Sequence, residues 1–322
     1  MSNRKTNITL WILFLVLIAT AVGQAFFPKY EGNLQVIELI QLIFAVTFAF
    51  VHGSVRYGRK GMLFFFIATE CVMFGMENFS ILTGFPYGHY HYVPGKFMPF
   101  IGAVPLSTGL AYFAYGYIAW HVANTLLRRA DTRLQSVYNV ILLPITASVV
   151  MSWWSFVTEP ISSTVQNKWI WENSGSYNGV PITNFFGWML ALYLVYQAFS
   201  LYLRKKHPRS TAPKASFWLF PTLFYLSYAL AVIAASVSVK SEFIRDAVGK
   251  SWDVKSIYAT AALASTGMIF LAALALTRSL LEKSESPTPL RNEPPKQTSQ
   301  SVSSHTIEKR PEVPAQSPNL RF

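Results

Sequence analysis

The chain has 322 residues, of which 52% are hydrophobic and 13% are charged, compared with about 25% charged residues in ordinary soluble domains. Several apolar runs approach or exceed the roughly 20 residues that cross a bilayer as a helix. The net charge of +12 is spread over short loops and the C-terminal tail, an arrangement that fits membrane topology better than nucleic-acid binding. The single cysteine, Cys71, excludes an intramolecular disulfide.

These features predict an all-α fold, a polytopic transmembrane helical bundle of about eight spans. The first apolar run follows Arg4 and Lys5 but lacks a small-x-small cleavage site, so we expect it to be retained rather than removed as a signal peptide. The spans are predicted at about 8–27, 34–52, 61–79, 99–127, 137–159, 181–203, 216–239 and 256–281.

The Lys and Arg residues predict the orientation of the bundle through the positive-inside rule. Most of the 27 Lys and Arg residues lie at the N-terminus, in the alternate loops 53–60, 128–136 and 204–215, and after residue 277. We therefore expect both termini in the cytoplasm, in a protein of the cell membrane. The loops 80–98 and 160–180 then lie together on the outer side.

The C-terminal segment has a different composition from the rest of the chain. Residues 282–322 are rich in Pro, Ser, Gln, Lys and Glu and contain few large apolar side chains. Such a segment buries too little surface to offset the entropy of ordering it. We therefore predict two parts, a transmembrane helical domain at 1–281 and a disordered cytoplasmic tail at 282–322.

The outer loop that begins at Thr83 reads TGFPYGHYHYVPG and contains two histidines and no charged side chain. Its glycines and prolines favour tight, stiff turns. Tyrosines alone would fit an interfacial aromatic belt, but such a belt does not explain two histidines among tight turns. The loop is therefore a candidate functional site.

Ionisable residues inside spans are costly and indicate function by default. Glu70 and Glu77 lie seven residues apart in the third span, on one helical face and about 10 Å apart along the axis. Glu77 precedes the histidine loop, and Glu159 ends the fifth span at the same outer side. We therefore expect Glu77 and Glu159 to converge on that loop. Three other ionisable residues are interpreted as groups satisfied by neighbouring helices: Glu38, His52 and His121.

His89 and His91 resemble a pair of metal ligands, but a catalytic zinc site usually has three protein ligands. The chain has six histidines in total and lacks the phosphate-binding, dinucleotide-binding and Gly-x-Ser-x-Gly motifs. No aspartate-rich diphosphate site is present either. The residues therefore predict an acid–base site without metal or cofactor, walled by aromatic side chains.

Four features resemble the CruF-type carotenoid 1,2-hydratase family of carotenoid biosynthesis membrane proteins. These features are Glu77, the run Thr83–Tyr92, the run Gly102–Leu106, and the segment Tyr177–Trp188, which reads YNGVPITNFFGW. The resemblance covers roughly residues 35–280. It implies a cofactor-independent enzyme that adds water across the terminal 1,2 double bond of an acyclic carotenoid end group, giving a 1-hydroxy carotenoid. The sequence departs from the family at Ser155, where an aspartate is expected in a Trp-Asp-x-x-x-Asp-Pro motif, and at Glu159, the second acidic position.

Hydration of a trisubstituted alkene requires a positioned acid and proceeds through a tertiary carbocation. We expect Glu77 or Glu159 to be the acid, with His89 or His91 orienting water or relaying the proton. Aromatic faces stabilise cations, and a long apolar substrate lies between helices with its end group at the site. The substrate-binding residues are predicted to be Tyr87, Tyr90, Tyr92, Trp153, Trp154, Asn184, Trp188 and Glu70.

Two other functions remain open at this point. A carotenoid cyclase shares the protonation step but quenches the cation by ring closure. For a non-catalytic transporter or lipid-binding protein, polar residues are expected along a path near the bilayer midplane. In this sequence the polar residues cluster at one face of the membrane instead. The expected partners are a carotenoid within the bilayer, the lipid membrane and other enzymes of the carotenoid pathway.

Overall fold

The computed structural model describes residues 3–26, 31–94, 99–206 and 215–284, and residues 285–322 of the predicted tail lie outside this part. The described chain is an α-helical bundle with three small two-stranded antiparallel sheets. The helices are α1 Asn3–Phe26, α2 Glu31–Thr83, α3 Leu106–Leu126, α4 Val137–Pro160, α5 Ile182–Lys206, α6 Ala215–Ser238 and α7 Val254–Ser284. The strands are β1 Tyr90–Tyr92, β2 Phe100–Ile101, β3 Val104–Pro105, β4 Trp169–Trp171, β5 Phe243–Arg245 and β6 Ser251–Asp253.

Helix α2 is a helical hairpin whose two arms meet at Gly58. Gly58 has φ 72° and ψ 166°, a conformation that favours glycine and interrupts the helix. The rings of Phe50 and Phe66 lie 5.4 Å apart between centroids, whereas 16 residues of straight helix would separate them by about 24 Å. The chain therefore reverses at Gly58, and α2 contains both predicted spans 34–52 and 61–79.

Six of the described helices are long and apolar enough to cross a membrane, which confirms a polytopic helical membrane protein. The predicted number of spans, eight, is slightly larger than these six. Two predicted spans lie in the single helix α2, and the predicted span 99–127 corresponds to α3, which is not among the six. Helix α3 starts at Leu106 because the preceding residues form the β2–β3 hairpin, and its 21 residues include Tyr, Trp, His, Asn and Thr.

A buried ion pair lies at the Gly58 end of the bundle, the end that contains the α2 turn and the α3–α4 loop. Arg56 donates two hydrogen bonds to Asp131, at 2.6 and 2.8 Å, and both residues are at most 3% exposed. Tyr57 also donates to Asp131, at 2.9 Å, and the Trp120 indole donates to Tyr57, at 3.1 Å. Every one of these groups has a partner, so the network ties the hairpin to the loop after α3.

Of the three ionisable residues expected to be satisfied by neighbours, two have hydrogen-bond partners and one has none among the described residues. Lys168 donates to both carboxylate oxygens of Glu38 at 2.8 Å. His52 has a hydrogen-bonding contact at each ring nitrogen, with the Tyr117 hydroxyl at 2.5 Å and the Phe217 carbonyl at 2.8 Å. The expectation is wrong for His121, whose ring nitrogens have no hydrogen-bond partner among the described residues. Its ring packs edge-on against Phe217 and stacks on Trp218.

Removing Asp131 tests the buried ion pair. Asp131→Ala leaves the Arg56 guanidinium buried without its carboxylate, so we expect a loss of about 3–5 kcal/mol in the free energy of unfolding. The measurement is thermal unfolding of the purified protein in detergent. Glu38→Gln is the matched control, because the Glu38–Lys168 pair is partly exposed and such pairs contribute about 1 kcal/mol or less. Equal unfolding temperatures for the two variants would show that the buried Arg56–Asp131 pair contributes no more to stability than the partly exposed Glu38–Lys168 pair.

Candidate functional site

The predicted outer loops meet as an antiparallel strand pair. Strand β1 pairs with β4, with Tyr90 opposite Trp171 and Tyr92 opposite Trp169. Successive side chains of a strand point to opposite faces, and in β1 the two tyrosines are buried while His91 between them is exposed. The strand therefore presents its tyrosines to the interior of the bundle. We call this end of the bundle, formed by β1, β4 and the start of α5, the site end.

Glu77 lies beneath β1, near the end of α2, and is 4% exposed. Its Oε2 accepts hydrogen bonds from the hydroxyls of Tyr90 and Tyr92, the latter at 3.1 Å. Its Oε1 accepts a hydrogen bond from the hydroxyl of Tyr112, at 2.8 Å, which comes from α3. Three phenol donors on one carboxylate stabilise its negative charge.

Glu159 lies near the C-terminal end of α4 and is 3% exposed. Asn184 and Trp169 lie beside its carboxylate, and Glu77 lies close enough for the two acidic groups to interact electrostatically. Yet Glu159 Oε2 has no hydrogen-bond partner in the described part of the chain, and neither has the amide nitrogen of Asn184. Ser155, one helical turn earlier on α4, is buried and its hydroxyl is likewise unpartnered there.

Tyr87 is 1% exposed and lies near both carboxylates. Burial raises the pKa of Tyr87 well above its usual value, and the charges of Glu77 and Glu159 raise that pKa further. Burial and the Glu77 charge also raise the pKa values of Tyr90 and Tyr92. All three phenols therefore stay protonated at neutral pH and act as hydrogen-bond donors.

Aromatic rings enclose the two glutamates. The Tyr112 and Trp188 rings lie 4.7 Å apart between centroids, and Tyr90 lies 4.9 Å from Trp171. The site thus contains seven residues of the predicted set. These are Glu77, Glu159, Tyr87, Tyr90, Tyr92, Asn184 and Trp188, the last of which packs on Tyr112.

Three site residues escaped the sequence analysis. Tyr112 is 35 residues from Glu77, and only the packing of α3 on α2 brings the two together, so no local pattern indicates it. Trp169 and Trp171 are separated by one residue in a predicted loop, and this spacing is only a weak signal for a strand with both rings on the face toward the site.

The two histidines do not lie at the glutamate pair. His91 points outward from β1 and its Nδ1 lies 3.7 Å from the carboxylate of Glu172, with both side chains 54% exposed. His89 is exposed, and its imidazole lies against Gly84. His91 points outward because successive side chains of β1 lie on opposite faces of the strand and the two tyrosines face inward. A role for either histidine at the reacting bond is therefore not supported by this placement.

Three other predicted residues lie away from the pair. Trp154 packs among aromatic rings of α3 and α6, 4.5 Å from Tyr228 between centroids. Trp153 lies against Gly267 of α7. Glu70 faces Gly109 of α3, and its carboxylate oxygens have no partner within the described ranges.

The fold and the site define an integral membrane protein of the polytopic helical class, with a pair of buried carboxylates at one end of the bundle. The chain belongs to the carotenoid biosynthesis protein family, whose model matches residues 37–248. This match confirms the family expected from the sequence and is consistent with its CruF type. Neither a curated protein nor a solved structure matches the chain. The family places the protein in carotenoid synthesis, which fits lipid and carotenoid partners.

The hydrogen bonds predict different stability effects for the two glutamates. Glu77→Gln puts an amide nitrogen, which accepts no hydrogen bond, against hydroxyl donors, so we expect a loss of about 1–3 kcal/mol. Glu159→Gln removes no hydrogen bond from Oε2, so we expect unchanged or higher stability. Thermal unfolding of both variants in detergent without substrate measures the difference. A larger loss for Glu159→Gln would contradict the assignment of Glu77 as the hydrogen-bonded carboxylate.

Proposed function

We propose that this protein hydrates the terminal 1,2 double bond of an acyclic carotenoid end group, giving a tertiary 1-hydroxy carotenoid. Family membership supports a role in carotenoid synthesis. The observation that carries the proposal is the unequal pair of buried glutamates. Glu77 accepts three phenol hydrogen bonds, whereas Glu159 beside it has an unpartnered oxygen.

In the first step Glu159 is the acid. Burial favours the neutral form of a carboxyl group. Glu159 has an unpartnered oxygen, whereas Glu77 accepts three phenol hydrogen bonds, so of the two glutamates Glu159 is better suited to hold the proton. The proton passes from Glu159 to C2 of the end group, whose π electrons form the new C–H bond. The product is a tertiary carbocation at C1 and an ionised Glu159.

In the second step Glu77 is the base. Its three hydrogen-bond donors favour the carboxylate form. A water molecule adds to C1 through its oxygen and loses one proton to Glu77, which leaves a neutral 1-hydroxy end group. One water is consumed and no electrons are exchanged, so the reaction requires no redox partner.

The aromatic wall supports the cationic intermediate. The faces of aromatic rings attract cations, and Tyr112 and Trp188 pack together beside Glu77. The hydroxyls of Tyr90 and Tyr92 donate to Glu77, and these hydrogen bonds fix the orientation of both rings beside the carboxylates.

Expression in cells that make lycopene tests the activity. We expect a pigment whose mass has increased by one or two waters. An altered spectrum without a change in mass would indicate a cyclase, and unchanged pigment in cells that contain the folded protein would indicate a non-catalytic role; both results would overturn hydration.

The glutamate roles are tested by rates of the purified variants. We expect Glu159→Gln and Glu77→Gln each to lower the hydration rate by about 100-fold or more, because each removes one side of the acid–base pair. Glu172→Gln is the matched control, since Glu172 is exposed and contacts His91 rather than the site. Wild-type rates in either site variant would contradict the proposed mechanism.

We further propose that the site end faces away from the cytoplasm and that both termini are cytoplasmic, in keeping with the positions of the Lys and Arg residues. In a Cys71→Ser background, His91→Cys should react with a membrane-impermeant maleimide on intact cells. Arg59→Cys, at the Gly58 end, should react only after lysis. Both side chains are exposed, so the reverse pattern would show the opposite orientation.

A further inference from the structure

The Gly58 end of the bundle carries exposed cations that have no acidic partner. Three segments of the chain meet at this end: the α2 turn at 53–60, the α3–α4 loop at 127–136, and the end of α5 at 200–206. The only acidic residue in these segments is Asp131, and it is buried against Arg56. Five basic side chains of the segments are exposed and form no ion pair within the described ranges: Arg59, Lys60, Arg128, Lys205 and Lys206.

Side-chain contacts bring the three segments into one surface. The rings of Phe64 and Tyr202 stack with their centroids 4.3 Å apart, so the start of the second arm of α2 lies beside the last turns of α5. The Gln135 amide donates to the Arg204 carbonyl at 3.0 Å, which joins the α3–α4 loop to the same end of α5. The buried ion pair joins that loop to the α2 turn. The five exposed cations therefore share one surface, which we call the basic patch.

Other basic side chains at this end have partners within the protein. The Arg129 guanidinium lies 4.9 Å from the centre of the Trp218 ring. Arg133 donates to the carbonyls of Leu127 and Arg128, at 2.7 and 3.1 Å. In the described part of the chain, no such contact accounts for the basic patch. The positive-inside rule accounts for the number of Lys and Arg residues on one side of a membrane, but it does not require them to gather on one surface without acidic residues.

The basic patch borders on exposed apolar surface. Leu63 lies one helical turn after Lys60 and is 51% exposed, and Leu201 lies one helical turn before Lys205 and is 45% exposed. Tyr138, in the first turn of α4, is 69% exposed. All three lie on helices that are long and apolar enough to cross a membrane. A ligand at this border contacts cations on one side and hydrocarbon on the other, which fits an amphiphile with an anionic head better than a soluble anion.

We propose that the basic patch binds the headgroup of an anionic phospholipid, with the acyl chains along the exposed apolar residues of the adjoining helices. Guanidinium groups hold phosphate oxygens with paired, charge-assisted hydrogen bonds, and Arg128 supplies such a group. Lysines at a membrane surface attract anionic lipids as point charges. The ligand neutralises cations that otherwise repel one another. This interaction does not depend on the reaction at the site end.

The experiment measures lipid binding to the purified full chain in nonionic detergent by native mass spectrometry. The probes are dioleoylphosphatidylglycerol, which has a net negative charge, and dioleoylphosphatidylcholine, which has none. We expect the wild-type protein to bind the phosphatidylglycerol more tightly by about tenfold or more. Each basic residue near a membrane surface contributes about fivefold, so Arg59→Gln/Lys60→Gln/Lys205→Gln should weaken this binding by about 100-fold. The phosphatidylglycerol should also raise the unfolding temperature of the wild type and not that of the variant, because a ligand of the folded state stabilises it.

The matched control is Lys240→Gln/Arg245→Gln/Lys255→Gln, which removes the same charge from exposed residues in and beside the β5–β6 hairpin. The hairpin lies at the far end of α6, so its charges are screened from the patch and binding should stay within about twofold of wild type. Equal losses for the two triple variants would show that net charge alone attracts the lipid, and this result overturns the proposal. Equal binding of the two lipids to the wild type overturns it as well. Displacement of the phosphatidylglycerol by an equal concentration of glycerol 3-phosphate would indicate a site for a soluble phosphate instead of a lipid.

Discussion

The structure depends on how an apolar bundle accommodates two buried glutamates. Water normally stabilises a carboxylate, and a group removed from water needs hydrogen-bond donors from the protein instead. For Glu77 these donors come from β1 and from α3. The pairing of β1 with β4 and the closure of the loop after α2 are therefore linked to a single acidic side chain.

The sequence predicts the bundle well because a span requires a long apolar run, and such runs are visible without any tertiary information. The chain reversal at Gly58 is signalled by the charged residues Arg56, Arg59 and Lys60 between two apolar runs. The site is predicted in part, since Glu77 and Glu159 are costly residues inside spans. Tyr112 could not be predicted, because helix packing alone places it. The outward direction of His91 follows from the alternation of the Tyr-His-Tyr strand, but only once β1 is known to be a strand.

The two ends of the bundle contain polar networks of different kinds. At the Gly58 end, Arg56 and Asp131 satisfy each other with two hydrogen bonds, and Tyr57 adds a third to the carboxylate. At the site end, Glu159 and Tyr87 each present an unpartnered polar atom among the described residues. A fully satisfied network rigidifies the structure, whereas an unpartnered polar atom keeps its capacity to form a hydrogen bond.

Ser155 bears on the charge of the glutamate pair. An aspartate at this position, the residue expected from the resemblance, would place a further negative charge one helical turn before Glu159 and would oppose ionisation of Glu159 and of Glu77. Serine is neutral, and its buried hydroxyl adds a donor and an acceptor without charge. The site then contains one carboxylate supported by three phenols and one that lacks such support. In the proposed mechanism, this asymmetry distinguishes the base from the acid in two chemically identical side chains.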